Sequence, residues 1–431
     1  MTFDTFSNIM EESTFAEGER FAMEDNHMFQ NDKVGIGVIG VGSRGRGIVK
    51  TVLGIDHACV TAICDVYEDR VERSCNEAAE IQGFAPKAVL DWHELLNDPD
   101  VDAILVLCAW EPHIEMAIAS MKAGKPVGVE VGGAYSIDDC WRLVRTYEET
   151  GTPCMLLENC CYGRMELLVA NMVKQGLFGD IVHCEGGYRH DLRSEIAFGK
   201  ENRHYRLRNY LSRCCENYPT HELGPIAQLL NINRGNRMVY LTSMASSAMG
   251  MHEYIKNTPN ADQSLLNKPF AQGDVVTTVI KCAGGQTITL TLDTTLPRAY
   301  SRQYTVQGTR GMYMEDNQSI YLDSEHGEKM HFNWKPQWNN AKDVYLEKYE
   351  HPIWKKFLED GVRGGHGGMD YLVYNEFVQA VYENKPMPID VYDMAAWMCI
   401  STLSEESIQK GSAPVAIPDF TNGRWLLHNA D

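Results

Sequence analysis

Val34-Gly35-Ile36-Gly37-Val38-Ile39, a short apolar run, leads directly into Gly40-Val41-Gly42-Ser43-Arg44-Gly45. A buried strand ending in G-x-G-x-x-G and followed by a helix-compatible segment is the layout of a dinucleotide-binding βαβ unit. In such a unit Gly40 makes the tight turn, Gly42 lets the backbone approach a pyrophosphate, and Gly45 lets the helix pack on the strand. The helix that begins near Ser43 then turns its free N–H groups and positive dipole end toward the phosphates. Arg44 is open to two readings, a phosphate partner or a surface side chain.

Beyond that helix, Cys59-Val60-Thr61-Ala62-Ile63-Cys64 reads as a second buried strand ending at Asp65. The aspartate stands about 20 residues past the last glycine, where an acid bonds a ribose hydroxyl. A carboxylate there repels a 2′-phosphate, so NAD is the expected cofactor in preference to NADP.

Length and charge narrow the rest. A chain of 431 residues exceeds one ordinary core and divides into two domains. An apolar content of 44% with 23% charged residues is that of a globular protein. The formal net charge of −20 opposes binding to a polyanion, so no nucleic-acid partner is expected. No uninterrupted apolar stretch approaches the ~18 residues of a membrane span. The thirteen cysteines include no C-x-x-C, and two pairs (Cys160-Cys161, Cys214-Cys215) are adjacent in sequence. That pattern builds neither a zinc site nor a disulfide framework, so no metal is expected and the setting is a reducing cytoplasm.

Residues 1–32 form an acidic extension without a basic n-region or apolar h-region, hence no secretory signal. Its phenylalanines and methionines fit a short docking helix or a frayed tail. From Lys33 to about residue 155 strand and helix alternate, the pattern of a doubly wound parallel sheet. Asp102 to Cys108 is a further buried strand ending at Ala109-Trp110-Glu111-Pro112-His113, and Pro126 to Val129 delivers Glu130 and Val131 to the carboxyl edge. Ligands of open α/β sheets sit outside those edges, which places Trp110, His113 and Glu130 near the nicotinamide. His113 also fits a structural histidine in a helical first turn. Residues 156–431 change style. Strands at Ile181–Gly187, Val275–Cys282, Thr287–Asp293 and Tyr304–Gly308 alternate and end in turns, which predicts an α+β domain with a large, mostly antiparallel open sheet. Met251 to Gln272 reads as an irregular excursion loop.

Taken together, Gly40 to Gly45, Asp65, Trp110 to His113 and Glu130 resemble the glucose–fructose oxidoreductase and inositol dehydrogenase superfamily. Glu158-Asn159-Cys160-Cys161-Tyr162-Gly163-Arg164, Tyr218-Pro219-Thr220-His221, Leu296-Pro297-Arg298-Ala299-Tyr300 and Gly365-His366-Gly367-Gly368-Met369-Asp370 narrow the resemblance to glycoside hydrolase family 109, the NAD-dependent α-N-acetylgalactosaminidases. Sugar dehydrogenases of the wider group carry Glu-Lys-Pro where this chain has Glu130-Val131-Gly132, so their proton-moving lysine is absent. Tyr218 and His221, three positions apart on a helical turn, face the same way and can take its place.

The resemblance implies a hydrolase that keeps a redox cofactor: oxidation at C3 of the sugar acidifies the C2 proton, the C1 substituent is eliminated, water adds, and the hydride returns. NAD would then stay tightly bound and be recycled in every turnover. Tyr162 is the implied acid or base at C2 and C1, with Tyr218, His221 and His366 around the reacting hydroxyl. Arg206, Tyr218 and Tyr300 are implied substrate contacts, and Asn159 with Glu130 and Val131 would hold the nicotinamide ribose region. A sugar or cyclitol dehydrogenase that releases NADH is the alternative. The partners expected are a small glycoside and a second copy of the chain, since the second sheet leaves an apolar face that suits a dimer or tetramer.

Overall fold

The structure is a computed structural model that describes residues 32–326 and 335–427. The acidic extension read as a docking helix or a tail lies outside the described residues, apart from Asp32. The first sheet contains β1 (Val34–Ile39), β2 (Ala58–Cys64), β3 (Lys87–Val89), β4 (Ala103–Val106), β5 (Val127–Val129) and β6 (Cys154–Leu156). They are parallel and ordered β3-β2-β1-β4-β5-β6. Strand order reverses between β1 and β4, and that switch point is where a doubly wound sheet binds its ligand. β1 and β4 are buried at every position, because helices cover both faces of a parallel sheet, and their sequences are accordingly continuous apolar runs.

A second sheet follows, with β7 (Ile181–Arg189), β8 (Met238–Ala245), β9 (Val275–Cys282), β10 (Thr287–Asp293), β11 (Thr305–Gly308), β12 (Gly311–Met314), β13 (Ser319–Leu322) and β14 (Val415–Ala416). Its order is β13-β12-β11-β7-β10-β9-β8-β14, antiparallel throughout except for the β7–β10 pair. One face carries Cys184, Ile280, Ile288, Leu290 and Val306, all buried. On the other, Thr242 pairs with Val279 and Met244 with Thr277, and Tyr240, Met244 and Val279 are exposed.

The two halves are joined by the Val391–Gln409 helix, which packs on β6 and the Ile137–Thr150 helix on one side and on β8 and the Pro219–Leu229 helix on the other. An Asp390/Asp393 capping box starts it, and Trp397 on it is fully buried. A helix wrapped in this way is apolar nearly all round, which its sequence Met394 to Ile400 reflects.

The expectation of an irregular loop over Met251 to Gln272 is overturned. A Gly250–Lys256 helix and a 3-10 turn at Gln263–Asn267 bury Met251, Ile255, Leu265 and Phe270. The helix is started from a distance: Asp274 accepts hydrogen bonds from the N–H groups of Met249 (2.7 Å) and Gly250 (3.0 Å). A cap supplied from 24 positions downstream leaves no trace in the local pattern. Among the described residues, no helix is long and apolar enough to cross a membrane.

Candidate active site

The glycine turn has the form the sequence predicts, and its three glycines are there for different reasons. Gly40 has φ +96°, and a Cβ on it would meet the Cys108 backbone at 2.6 Å. A Cβ on Gly45 would stand 2.0 Å from the Gly40 carbonyl, so the Ser43–Val52 helix reaches β1 only without one. Around Gly42 the protein offers no such obstacle, the nearest atom being Nη1 of Arg70 at 3.5 Å. A bare Cα at this position leaves room for a pyrophosphate to approach the backbone. The helix behind it has no side-chain cap and no acid in its first turn, so its N–H groups are free for a pyrophosphate. Asp65 follows β2; it accepts from the Val41 N–H (2.9 Å) and the Tyr67 N–H (3.1 Å), which hold it beside the turn. These residues fit a dinucleotide.

Arg44 lies against carboxylates. Its guanidinium bonds Glu130 (Nε to Oε1, 3.0 Å) and Asp370 (2.6 and 3.0 Å). Asn159 donates to Asp370 (2.7 Å), the Tyr374 hydroxyl to Glu130 (2.7 Å), and His366 Nδ1 lies 2.8 Å from Asp370. This network ties the start of the first Rossmann helix, the end of β5 and the Gly365 to Asp370 loop together. It holds Asp370 well below the usual carboxylate range: burial alone would raise it, but the bonds from His366 and Arg44 outweigh that.

The second cluster stands on the other sheet. Tyr218 is the residue before the Pro219–Leu229 helix and His221 lies in its first turn, so their rings meet with centres 4.7 Å apart. Tyr188 on β7 packs against Tyr218 (4.3 Å) and His221 (5.6 Å), and Trp110 against Tyr218 (5.6 Å). The buried Arg206 lies over both Trp110 (5.0 Å) and Tyr218 (5.1 Å), and its Nη1 has no hydrogen-bond partner. Tyr300, 52% exposed, forms the rim beside His190 (5.2 Å). Val131 joins the same apolar shell.

Glu158 is the residue the sequence reading left without a role. It is fully buried, and its carboxylate grips His221 Nδ1 at 2.8 and 2.9 Å. Burial would raise its pKa, yet the adjacent imidazole and the Cys160 N–H bring it below the ordinary glutamate range. A carboxylate on Nδ1 fixes the ring and leaves Nε2 for proton transfer. Cys160 lies within 4.8 Å of this pair and completes a possible metal donor set, but the His221 Nδ1 is already committed to Glu158. Burial keeps the Tyr218 phenol far above its usual range, and that of Tyr188 up at about 12, so both stay neutral donors. Glu216 and Glu222, both buried, flank Tyr218 and His221 in sequence; burial raises both and puts Glu216 at about 7.

Two further expected site residues are buried. Tyr162 is buried in the main core, where burial and the charge of Glu376 push its phenol far above the usual range. It ends the 3-10 turn Asn159–Tyr162, in which positions three apart eclipse, so it faces the Met369–Tyr382 helix as Asn159 does. Cys160 is the member of that turn that faces His221. His113 is buried, with Nε2 3.2 Å from the Cys108 carbonyl and its basicity lowered by burial.

A six-stranded Rossmann sheet with a prepared dinucleotide turn, joined to an eight-stranded sheet with acid–base side chains beside it, defines a two-part dinucleotide-binding enzyme architecture. The family models divide at the same junction. Residues 34–157 match the NAD-binding Rossmann fold of an oxidoreductase family, and residues 162–427 match the glycosyl hydrolase 109 C-terminal domain. The chain belongs to glycosyl hydrolase family 109. It is 39% identical over 413 residues to an alpha-N-acetylgalactosaminidase of Tannerella forsythia, covering 90% of this chain and 86% of that one. With an alpha-N-acetylgalactosaminidase of Shewanella oneidensis it shares 38% identity over 402 residues, 91% of this chain and 86% of the relative. Among solved structures it is similar in fold to a levoglucosan dehydrogenase in complex with NADH and levoglucosan (TM-score 0.64, 17% identity, 90% of this chain and 100% of that one). It likewise resembles a Lactobacillus casei myo-inositol dehydrogenase (TM-score 0.59, 14% identity, 90% and 97%).

Proposed function

We propose that this chain is an NAD-dependent glycosidase acting on α-N-acetylgalactosaminides or closely related glycosides, with the cofactor retained through each cycle. The observation that carries the reading is the Glu158–His221 dyad beside Tyr218 and the unpartnered Arg206 Nη1, set at the edge of a dinucleotide sheet whose Glu130 is followed by valine rather than lysine. NAD, when bound, supplies a hydride acceptor for C3 of the sugar and gives the hydride back before release.

The protein's own groups handle protons and position. The resulting ketone acidifies the C2 hydrogen, and His221, oriented by Glu158, takes that proton on Nε2. Tyr218, held neutral, donates to a reacting oxygen. The Arg206 Nη1 donates to a substrate oxygen, with Trp110 and Tyr188 walling off water. Tyr300 closes the rim. The Arg44, Glu130, Asn159, His366 and Asp370 network braces the cofactor side. A dehydrogenase that released NADH is less favoured because Glu130 is followed by Val131-Gly132, without the proton-moving lysine of the sugar dehydrogenases.

Incubating the protein as purified with nitrophenyl glycosides in deuterated water, without added NAD, tests the reading. Release of nitrophenol with deuterium at C2 of the freed sugar is the expected result. Accumulation of NADH in step with oxidised sugar, without cleavage, would give the dehydrogenase. The open face of the second sheet, with Tyr240, Met244 and Val279 exposed, supports a homo-oligomer built through it. Light scattering should give a dimer or larger, and Met244→Arg should shift it toward the monomer.

A further inference from the structure

Residues 198–205 join the Arg193–Ala197 helix to the Arg206–Ser212 helix in the second half of the chain, yet they reach across to the Rossmann half. The turn is closed on itself, the Asn202 N–H donating to the Phe198 carbonyl (2.9 Å) and the His204 N–H to the Gly199 carbonyl (2.7 Å). Arg203 within it has φ +53°, a left-handed conformation uncommon for a residue with a side chain. From there its guanidinium makes two bonds to Asp69, at 2.9 and 2.8 Å, and lies over the Tyr67 ring (4.3 Å). Arg70 holds the turn from the Rossmann half. Its Nη2 donates to the carbonyls of Asn202 (3.1 Å) and Arg203 (3.5 Å), and its guanidinium lies over the same ring (4.7 Å).

What this bridge covers follows from where Arg70 and Tyr67 stand. Arg70 Nη1 is 4.0 Å from the Asp65 carboxylate and 3.5 Å from the point a Cβ on Gly42 would occupy, and the Tyr67 N–H bonds Asp65 (3.1 Å). In a dinucleotide turn of this form Asp65 takes a ribose and Gly42 the pyrophosphate, so the bridge lies against the adenosine end. A single exposed ion pair holds little. Here a two-bond ion pair, a guanidinium donating to carbonyls and two cation–π contacts close one short segment. The bonds from Arg203 keep the Asp69 carboxyl down at about 2, so the pair stays charged over the working range. We propose that residues 198–205 form a latch, locked by Arg203 with Asp69 and by Arg70, that opens before a dinucleotide enters or leaves. The latch deepens the reading of a cofactor retained through each cycle, and rests on it. A hydrolase that returns the hydride it took loses that turnover if the reduced nucleotide escapes midway. The turn continues into Tyr205 and Arg206, which pack on Trp110 (4.7 and 5.0 Å), so the latch is anchored on the sugar side of the site.

The full-length protein loaded with NADH and chased with excess NAD reports release through the loss of nucleotide fluorescence, and refilling of the stripped protein with NADH reports entry. Arg203→Ala should speed release and refilling alike, each by about three- to tenfold, because a barrier on the path slows both directions. The reversed pair, Arg203→Asp with Asp69→Arg, should bring both rates back toward those of the unaltered protein. Faster release without faster refilling would make Arg203 an ordinary nucleotide contact and overturn the latch. A reversed pair that restores neither rate would mean that Arg203 shapes the turn rather than locks it. Rapid release from the unaltered protein sinks the retained-cofactor reading and the latch with it, whereas equally slow release from the unaltered protein and from Arg203→Ala removes the latch alone.

Discussion

At the edge of the parallel sheet the site is made of backbone, and at the edge of the second sheet it is made of side chains. The Gly40 to Gly45 turn offers N–H groups and a bare Cα, with Asp65 beside it and the Arg44 network behind it. The opposite wall offers an imidazole, a buried carboxylate, phenols and a guanidinium, drawn from β7, from the Pro219–Leu229 and Arg206–Ser212 helices and from the turn after β6. A backbone site depends on residues close in sequence and survives most side-chain changes nearby. A side-chain site depends on contacts such as Glu158 with His221, 63 positions apart, and single atoms decide it.

The largest effect that can break this contrast is on the side-chain wall. His221→Ala removes the group proposed to transfer the proton and should lower kcat by roughly 10²–10⁴-fold, with NAD still copurifying. Loss of the cofactor together with activity would mean that the two walls are one unit. The change also leaves Glu158 buried and unpaired. Because its folded pKa is depressed, its contribution to stability is present above the unfolded value of about 4.3 and is lost as pH falls through the folded value. In His221→Ala that contribution should shrink, which melting temperatures compared at pH 7 and pH 3.5 would reveal.

On the backbone wall the two glycines should separate. Gly45→Ala drives a Cβ into the Gly40 carbonyl and should destabilise by about 1–3 kcal/mol or prevent folding. Gly42→Ala meets no protein atom closer than 3.5 Å, so the melting temperature without cofactor should hold while NAD affinity drops. Equal destabilisation by both would remove the argument that Gly42 is bare for a ligand.

Much of this was legible in the sequence, and the limit follows the same line. The strands β1, β2 and β4 and the turn between them could be read because parallel strands buried on both faces are apolar without interruption and the glycines recur at fixed offsets. Strands β9 and β10 were readable to the residue from their alternation and the Gly284-Gly285 turn. The capped helix at Gly250–Lys256 and the role of Glu158 were not, since each depends on a partner distant in sequence. Tyr162 illustrates the same gap: its motif was visible, but the 3-10 geometry that turns it toward the Met369–Tyr382 helix was not. Tyr162→Phe should therefore cost less than tenfold in kcat, whereas Tyr218→Phe should cost about a hundredfold. The reverse order would put Tyr162 in the reaction.

A smaller effect tests the floor beneath the side-chain wall. Burial raises Glu216 and its hydrogen-bonded neighbour Glu222 together, so above pH ~4.3 the folded pair keeps a proton that the unfolded chain has released. Stability then falls as pH rises across that window, opposite to the Glu158 case. Replacing both, Glu216→Gln with Glu222→Gln, should flatten the decline in melting temperature between pH 5 and 7.5; an unchanged slope would mean that the pair is ionised in the fold.

Asp65 supplies the finest test, because it is the one side chain on which the backbone wall relies for selectivity. Its carboxylate is held by the N–H groups of Val41 and Tyr67, and Arg70 Nη1 stands 4.0 Å away. In that position the acid accepts from a ribose hydroxyl and repels a 2′-phosphate, while Arg70 partly offsets the repulsion. The unaltered protein should therefore prefer NAD to NADP, and Asp65→Ala, which leaves Arg70 unopposed, should narrow or invert the preference. A change of about tenfold in the ratio of the two affinities corresponds to roughly 1.4 kcal/mol, measurable by titrating cofactor-stripped protein with each nucleotide. Because Val41 and Tyr67 also lose an acceptor, affinity for NAD itself should fall as well, and Asp65→Asn, which keeps an acceptor without the charge, separates the two contributions. If Asp65→Asn preserves the full NAD preference, charge does not set selectivity and shape at the turn does.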